Sequence, residues 1–205
     1  MKKIAGVIGL VFALGLVSCM SSNPGANKVS RIDASTQTDL SGYWNDTDVR
    51  IVSENLVGEC VKCPAVSAFN AVKKRTPIVI VGSFRNQSDE HIDTSILAKK
   101  FEAALINSGK VDFVASATER GEVRDERKDQ QVNASEATAK SLGNETGADF
   151  MLIGSVKTII DSAGNQTTRT YYVNAELIDI ETNRKLWVGD DSSIKKLIKQ
   201  SNYRP

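Results

Sequence analysis

Apolar residues recur at Val49, Val52, Leu56, Cys60 and Cys63, in steps of 3, 4, 4 and 3. Such steps line one face of a helix. Asn45-Asp46-Thr47-Asp48 just ahead supplies short acceptors for free backbone N–H groups and acids for the first turn, so the helix is predicted to start there. Pro64 predicts its end, because proline disfavours helical geometry in the residue before it. The run "PIVIVGSF" (77–84) is apolar and largely β-branched without alternation, which suits a strand covered on both faces. Asp93 or Thr94 can cap a second helix with an apolar stripe of Ile96, Leu97, Phe101, Ala104 and Leu105, stopped at Ser108-Gly109.

Residues 110–116 read as a short strand, and 118–131 as a helix whose one large apolar residue is Val123. A further helix is predicted from a cap near Ser135, with Ala139 and Leu142 facing inward and Gly147 ending it. Residues 148–161 and 168–180 read as long strands joined by "SAGNQ", the second with Tyr171, Val173, Ala175 and Leu177 on one face. "ETNR" turns again into a strand at 185–190. The stretch 192–200 fits either a strand or a short helix. The expected fold is α+β or α/β: a single domain with helices on a mixed β-sheet, closing in a three-stranded antiparallel meander.

The N-terminus changes the picture. Lys2 and Lys3 precede fourteen uninterrupted apolar residues, Ile4 to Val17. That run is short for a membrane span and suits the core of an export signal. It ends in Leu16-Val17-Ser18-Cys19, which resembles a bacterial lipobox; the other reading is a plain secretory signal with a chance cysteine. Residues 1–18 are expected to be removed as a lipoprotein signal peptide, leaving Cys19 as the acylated N-terminus. Residues 19–45 are poor in large apolar groups and read as a flexible tether, and 46–205 as the periplasmic domain. A coil of about 25 residues spans roughly 25–30 Å root-mean-square. No later apolar run approaches eighteen residues, so attachment would rest on the lipid.

With 26 basic against 25 acidic residues, no global field points to nucleic acid. Candidate chemistry is sparse. His91 is the one histidine and sits among loop carboxylates. The acid pairs Asp89-Glu90 and Asp190-Asp191 show no pattern that predicts the burial a catalytic pair needs. Ser192 and Ser193 each precede a lysine by three residues, without the companion motifs of penicillin-interactive enzymes. No phosphate-binding glycine loop occurs. No cofactor, metal or small-molecule substrate is therefore expected, nor a catalytic role. From Glu119 to Asp129, nine of eleven residues are charged. On a helix, Arg120, Arg124 and Lys128 form one row with Arg127 beside it, and Glu122 and Glu126 form another. This is either a partner face or a solvated outer helix balanced by cross-row pairs.

Three stretches carry a resemblance: "INSGKVDFV", "TGADFMLIGSV" and "LIDIETNRKLWVG". Across about 40–190 the chain resembles the LpoB-type activators of penicillin-binding proteins, whose domain is similar to the N-terminal domain of TolB. The resemblance implies a non-enzymatic outer-membrane lipoprotein that docks on a class A penicillin-binding protein and stimulates peptidoglycan synthesis. Known members reach inward on a long Pro-rich linker, whereas the tether here holds Pro24 alone and extends at most about 85 Å. Met20, where an inner-membrane retention signal would have Asp, favours the outer membrane. The alternative is an oligomeric secretion component related to curli-pore lipoproteins, which would need long alternating strands to line a barrel. Loops and charge-rich helices expose recognition chemistry, so the candidate partner-binding residues are Arg85, Asn86, Arg120, Arg124 and Lys128.

With Cys19 acylated, Cys60 and Cys63 remain as thiols. Two ligands do not close a zinc site, and the end of a helix is the wrong pole to lower a thiol pKa. Core thiols, a local disulfide in an oxidising envelope, and redox or metal work stay open, in that order.

Overall fold

A computed structural model describes residues 30–143 and 145–200. The signal peptide and Cys19 lie outside them. Asn45 starts the first helix, α1 (Asp46–Cys60), through a capping box: its side chain accepts from the Asp48 N–H while Asp48 accepts from the Asn45 N–H. Val49, Val52, Leu56 and Cys60 are all buried. The chain then turns, with the Cys63 N–H on the Cys60 carbonyl, and Pro64 opens a second helix, α2 (Pro64–Lys73). Pro64 thus stops one helix and starts the next, because the first helical position has no intrahelical use for an N–H. Its Val66 is buried, and Phe69 meets Phe150 edge-on at 5.2 Å.

β1 (Ile78–Gln87) leads to α3 (Thr94–Asn107), capped by Asp93, with Leu97, Phe101 and Leu105 inward and Gly109 at φ +66° after its end. β2 is only Asp112–Phe113, and α4 (Ala117–Asn133) begins in a second capping box between Ser116 and Glu119. The helix predicted after Ser135 does not form. Ser135 O accepts from Thr138 and Ala139, a single turn, and Leu142 is exposed. Two apolar residues between Gly143, Gly147 and polar neighbours offer no stripe to bury, and packing supplies most of a short helix's stability.

The last third is sheet: β3 (Phe150–Ala163), β4 (Gln166–Asp179), β5 (Lys185–Asp191) and β6 (Lys195–Lys199). The strand order is β2-β1-β3-β4-β5, parallel among the first three and antiparallel from β3 onward. Residues 192–200, left open by the sequence, continue past β5 to pair as β6 with the first half of the same strand, β4. The mixed sheet with helices is as expected; the meander carries this additional strand.

Tyr171, Val173, Ala175 and Leu177 of β4 are buried, joining Val52, Leu56, Leu97 and Phe101 in one core. α1 runs over β4 and β5, α3 runs over β1, and the two helices pack on each other. The opposite face carries Ile80, Met151, Ile153, Tyr172, Asn174, Glu176 and Ile178, all half-buried. Gly154 sits where a Cβ would lie 2.4 Å from the Phe84 ring and 2.5 Å from the Asn174 carbonyl, so only glycine lets those groups close over β3.

Candidate partner-binding surfaces

Adjacent strand residues point to opposite faces, and this separates two of the candidates. Arg85 pairs in register with Ser155 on the helix-free face, beside the row of Gln87, Lys157 and Tyr172. It is exposed and has no ion pair among the described residues. Asn86 instead builds the β1–α3 loop: its amide donates to the Glu90 carbonyl at 2.6 Å, and its oxygen accepts from the Ser88 N–H and hydroxyl.

That loop places Glu90 in the interior, a burial that no pattern in the sequence predicted. The Glu90 side chain is 8% exposed and that of its partner Arg169 10%. Arg169 also pairs with Asp89 at 3.0 Å and lies over the Tyr43 ring at 5.0 Å. Tyr171 donates to Glu90 and to the Gly42 carbonyl, and Glu90 accepts from the Trp44 N–H at 2.9 Å. Burial pushes the Tyr171 hydroxyl up, and the Thr158 hydroxyl bond holds Asp89 below the usual carboxylate range. Arg169 bridges the two carboxylates, and Glu90 in turn holds Trp44 and Tyr171. The cluster therefore fastens the chain; it is not an acid–base pair.

A second clamp lies beside it. Lys196 of β6 donates to Asp48 at 2.6 Å and to the Tyr43 carbonyl at 2.7 Å, and pairs with Asp39 at 3.1 Å. The Asn45 amide donates to Asp39 at 3.0 Å, and Trp44 packs on Tyr171 at 5.1 Å. Residues 38–45 thus form a strap across β4 and β6. Burial raises the Asp48 pKa, and the Lys196 bond lowers that of Asp39.

On α4, Arg120 and Arg124 converge with Arg127 on Glu145, at 4.0, 2.7 and 3.8 Å. The Arg124 bond holds the Glu145 carboxyl below its usual range. Lys128 turns away to Asp125 at 2.8 Å. The predicted row is therefore split: its first two members share a carboxylate, and its third does not join them. Among the described residues no hydrogen bond or ion pair links Arg85 or Asn86 to this helix. Sequence reasoning missed Glu145, which falls in the segment read as a helix, and it missed the helix-free face. For that face the signal was present, because the alternation that put Tyr171 and Val173 inward puts Tyr172 and Asn174 on the other side.

Cys60 and Cys63 are buried free thiols, and Cys63 Sγ contacts the Leu186 carbonyl at 3.6 Å. Burial, with the neighbouring Cys63, pushes the Cys60 thiol up to about 12. A thiol that resists ionisation is a poor nucleophile and ligand. Among the described residues no group of three His, Cys, Asp or Glu is arranged to hold a metal ion, and no helix is long and apolar enough to cross a membrane.

No curated protein sequence matches the chain. Among solved structures, the LpoB C-terminal domain from Salmonella enterica is similar to it at 20% identity, covering 67% of this chain and 94% of that one, with a TM-score of 0.34. The solution structure of Escherichia coli LpoB is 17% identical, covering 97% and 96%, with a TM-score of 0.35. A lipoprotein from Neisseria meningitidis is 24% identical, covering 61% and 85%, with a TM-score of 0.36. Residues 48–192, spanning the domain from the first turn of α1 to the end of β5, match the sequence family described as the peptidoglycan-synthase activator LpoB, and the chain belongs to that family.

Proposed function

We propose that the protein is a non-catalytic lipoprotein that docks on a class A penicillin-binding protein and raises its glycan polymerisation. The family match over residues 48–192 carries this reading. Acylation at Cys19 would hold the chain on the outer membrane facing the periplasm, and of the stretch 19–45 read as a tether, residues 38–45 are strapped to the domain. Docking is assigned to the helix-free face at its polar end, where Arg85, Gln87, Lys157 and Tyr172 form one exposed to half-buried patch. Arg85 is its anchor: a planar donor fork without an acceptor among the described residues suits a partner carboxylate. Asn86 contributes by holding the loop.

The secretion-pore alternative loses its basis. β3 and β4, the long alternating strands that a barrel would need, are the centre of this domain's own sheet, with their core face buried under α1 and α3.

The test is a pull-down and a polymerisation assay with the full chain and a class A penicillin-binding protein from the same bacterium. The expected result is capture and faster glycan synthesis, with Arg85→Glu weakening capture at least ten-fold. Recovery of no penicillin-binding protein by the wild-type chain overturns the proposal.

A further inference from the structure

α4 sets three guanidiniums around a single carboxylate. Arg124 takes Glu145 bidentately, Nε and Nη2 donating at 2.7 and 2.8 Å. Arg120 Nε stands 4.0 Å from the same carboxylate and Arg127 Nη1 3.8 Å, beyond hydrogen-bond reach. These two are more buried than Arg124, with side chains 30% and 28% exposed against 52%. Arg120 Nε is shut off from solvent and has no hydrogen-bond partner. Both arginines line a groove of about 210 Å³ with Val114, Ala115 and Val123 in its wall and Glu145 at its side.

Among the described residues no acid of α4 itself pairs with Arg120, Arg124 or Arg127: Glu119 pairs with Lys99 at 2.6 Å and Asp125 with Lys128 at 2.8 Å. A guanidinium Nε shut off from solvent without an acceptor is costly, and among the described residues Glu145 is the one carboxylate within 4.0 Å of the three guanidiniums. A planar fork beside an apolar wall is complementary to a carboxylate on a short aliphatic stem. The groove's volume suits one or two acidic side chains.

We propose that this arginine fork is a docking site for acidic side chains of a protein partner, and that Glu145 is an internal stand-in which occupies it in the free chain. The inference rests on the reading that the protein works by binding a protein partner, and it adds a contact on α4 separate from the Arg85 patch. Glu145 comes from the irregular segment after α4, not from a helix or strand, so an incoming carboxylate displaces it without opening the core.

The probe is poly-L-glutamate, titrated into the full chain while the arginine Nε–Hε signals are followed by NMR. Arg120 and Arg127 signals are expected to move and saturate, and to return at high salt. Glu145→Gln removes the competitor and should tighten binding about three-fold, the scale of one exposed charge pair. The double variant Arg120→Gln/Arg127→Gln should weaken it about ten-fold, the loss of two charge-assisted contacts. Tightening is a result that misfolding does not imitate. Equal affinity in Glu145→Gln and wild type overturns the inference. So do shifts spread evenly over all arginines, or binding to phosphatidylglycerol vesicles without binding to poly-L-glutamate. In the polymerisation assay the two proposals separate. A wild-type chain that captures no synthase refutes the activator reading, whereas capture and stimulation unchanged by the double variant refute only the fork.

Discussion

Replacing Lys196 by Met removes one ammonium group from three partners at once. Its pair with Asp39 is partly exposed and contributes only a few tenths of a kcal/mol. Its bond to the Tyr43 carbonyl contributes about 1 kcal/mol. The main loss is at Asp48, whose side chain is 4% exposed and would keep only the Asn45 N–H as a close donor. Breaking a buried pair typically costs 3–5 kcal/mol, and the retained capping bond brings the expected total to about 3 kcal/mol. The cost should depend on pH. Burial already raises the Asp48 pKa, so the folded state holds that proton more tightly than the unfolded chain. Stability from this group is therefore present below the unfolded value, near 3.8, and lost as pH rises through the folded one. The Lys196→Met deficit should be largest at neutral pH and shrink as pH falls through the raised folded pKa and Asp48 takes up its proton. Urea unfolding of the full chain, followed by circular dichroism, measures it. In an Asp48→Asn background the same substitution should cost about 1 kcal/mol, a coupling of about 2 kcal/mol. A cost below 1 kcal/mol for the single variant, or the same cost in both backgrounds, refutes the clamp.

Three further outcomes are expected. Arg75 holds Asp149 through two bonds of 2.7 Å, and these lower the Asp149 pKa; its contribution is present above about pH 4 and lost as pH falls. Asp149→Asn should thus flatten the acid limb of the stability curve, as read by urea unfolding at a series of pH values; an unchanged acid limb refutes the pairing. Gly154→Ala drives a Cβ into the Phe84 ring and the Asn174 carbonyl, and should cost about 1–3 kcal/mol in thermal or urea unfolding. Cys60, with its thiol pushed up to about 12, should resist iodoacetamide in the native chain at pH 8 and label only on unfolding, as read by mass spectrometry.

Local signals were legible and distant ones were not. The caps Asn45 and Asp93 and the stripes behind them marked α1 and α3, because a helix writes its period into neighbouring residues. The alternation through Tyr171 and Leu177 marked the buried face of β4 in the same way. α2 was hidden because proline punctuates both ends of helices, and of its apolar residues Val72 faces solvent. Ser135 imitated a cap without a stripe to follow it. The arginine row on α4 could be read from i,i+4 spacing, but its carboxylate lies 21 residues beyond Arg124. Glu90 and Arg169 are 79 residues apart, and no local pattern announces that a loop acid will be enclosed by a strand arginine.

The strap has a mechanical consequence. A load drawn on the chain ahead of the strap passes through residues 38–45 before it reaches α1. Counted along the chain it meets Asp39 on Lys196, then Gly42 on Tyr171, Tyr43 on Arg169 and Lys196, and Trp44 on Glu90, before it reaches the cap of α1. Fasteners arranged in series give way in turn, so the first pull is spent on side-chain bonds at the margin of β4 and β6. The helix that carries the core is spared, and the strap acts as a strain relief for the domain.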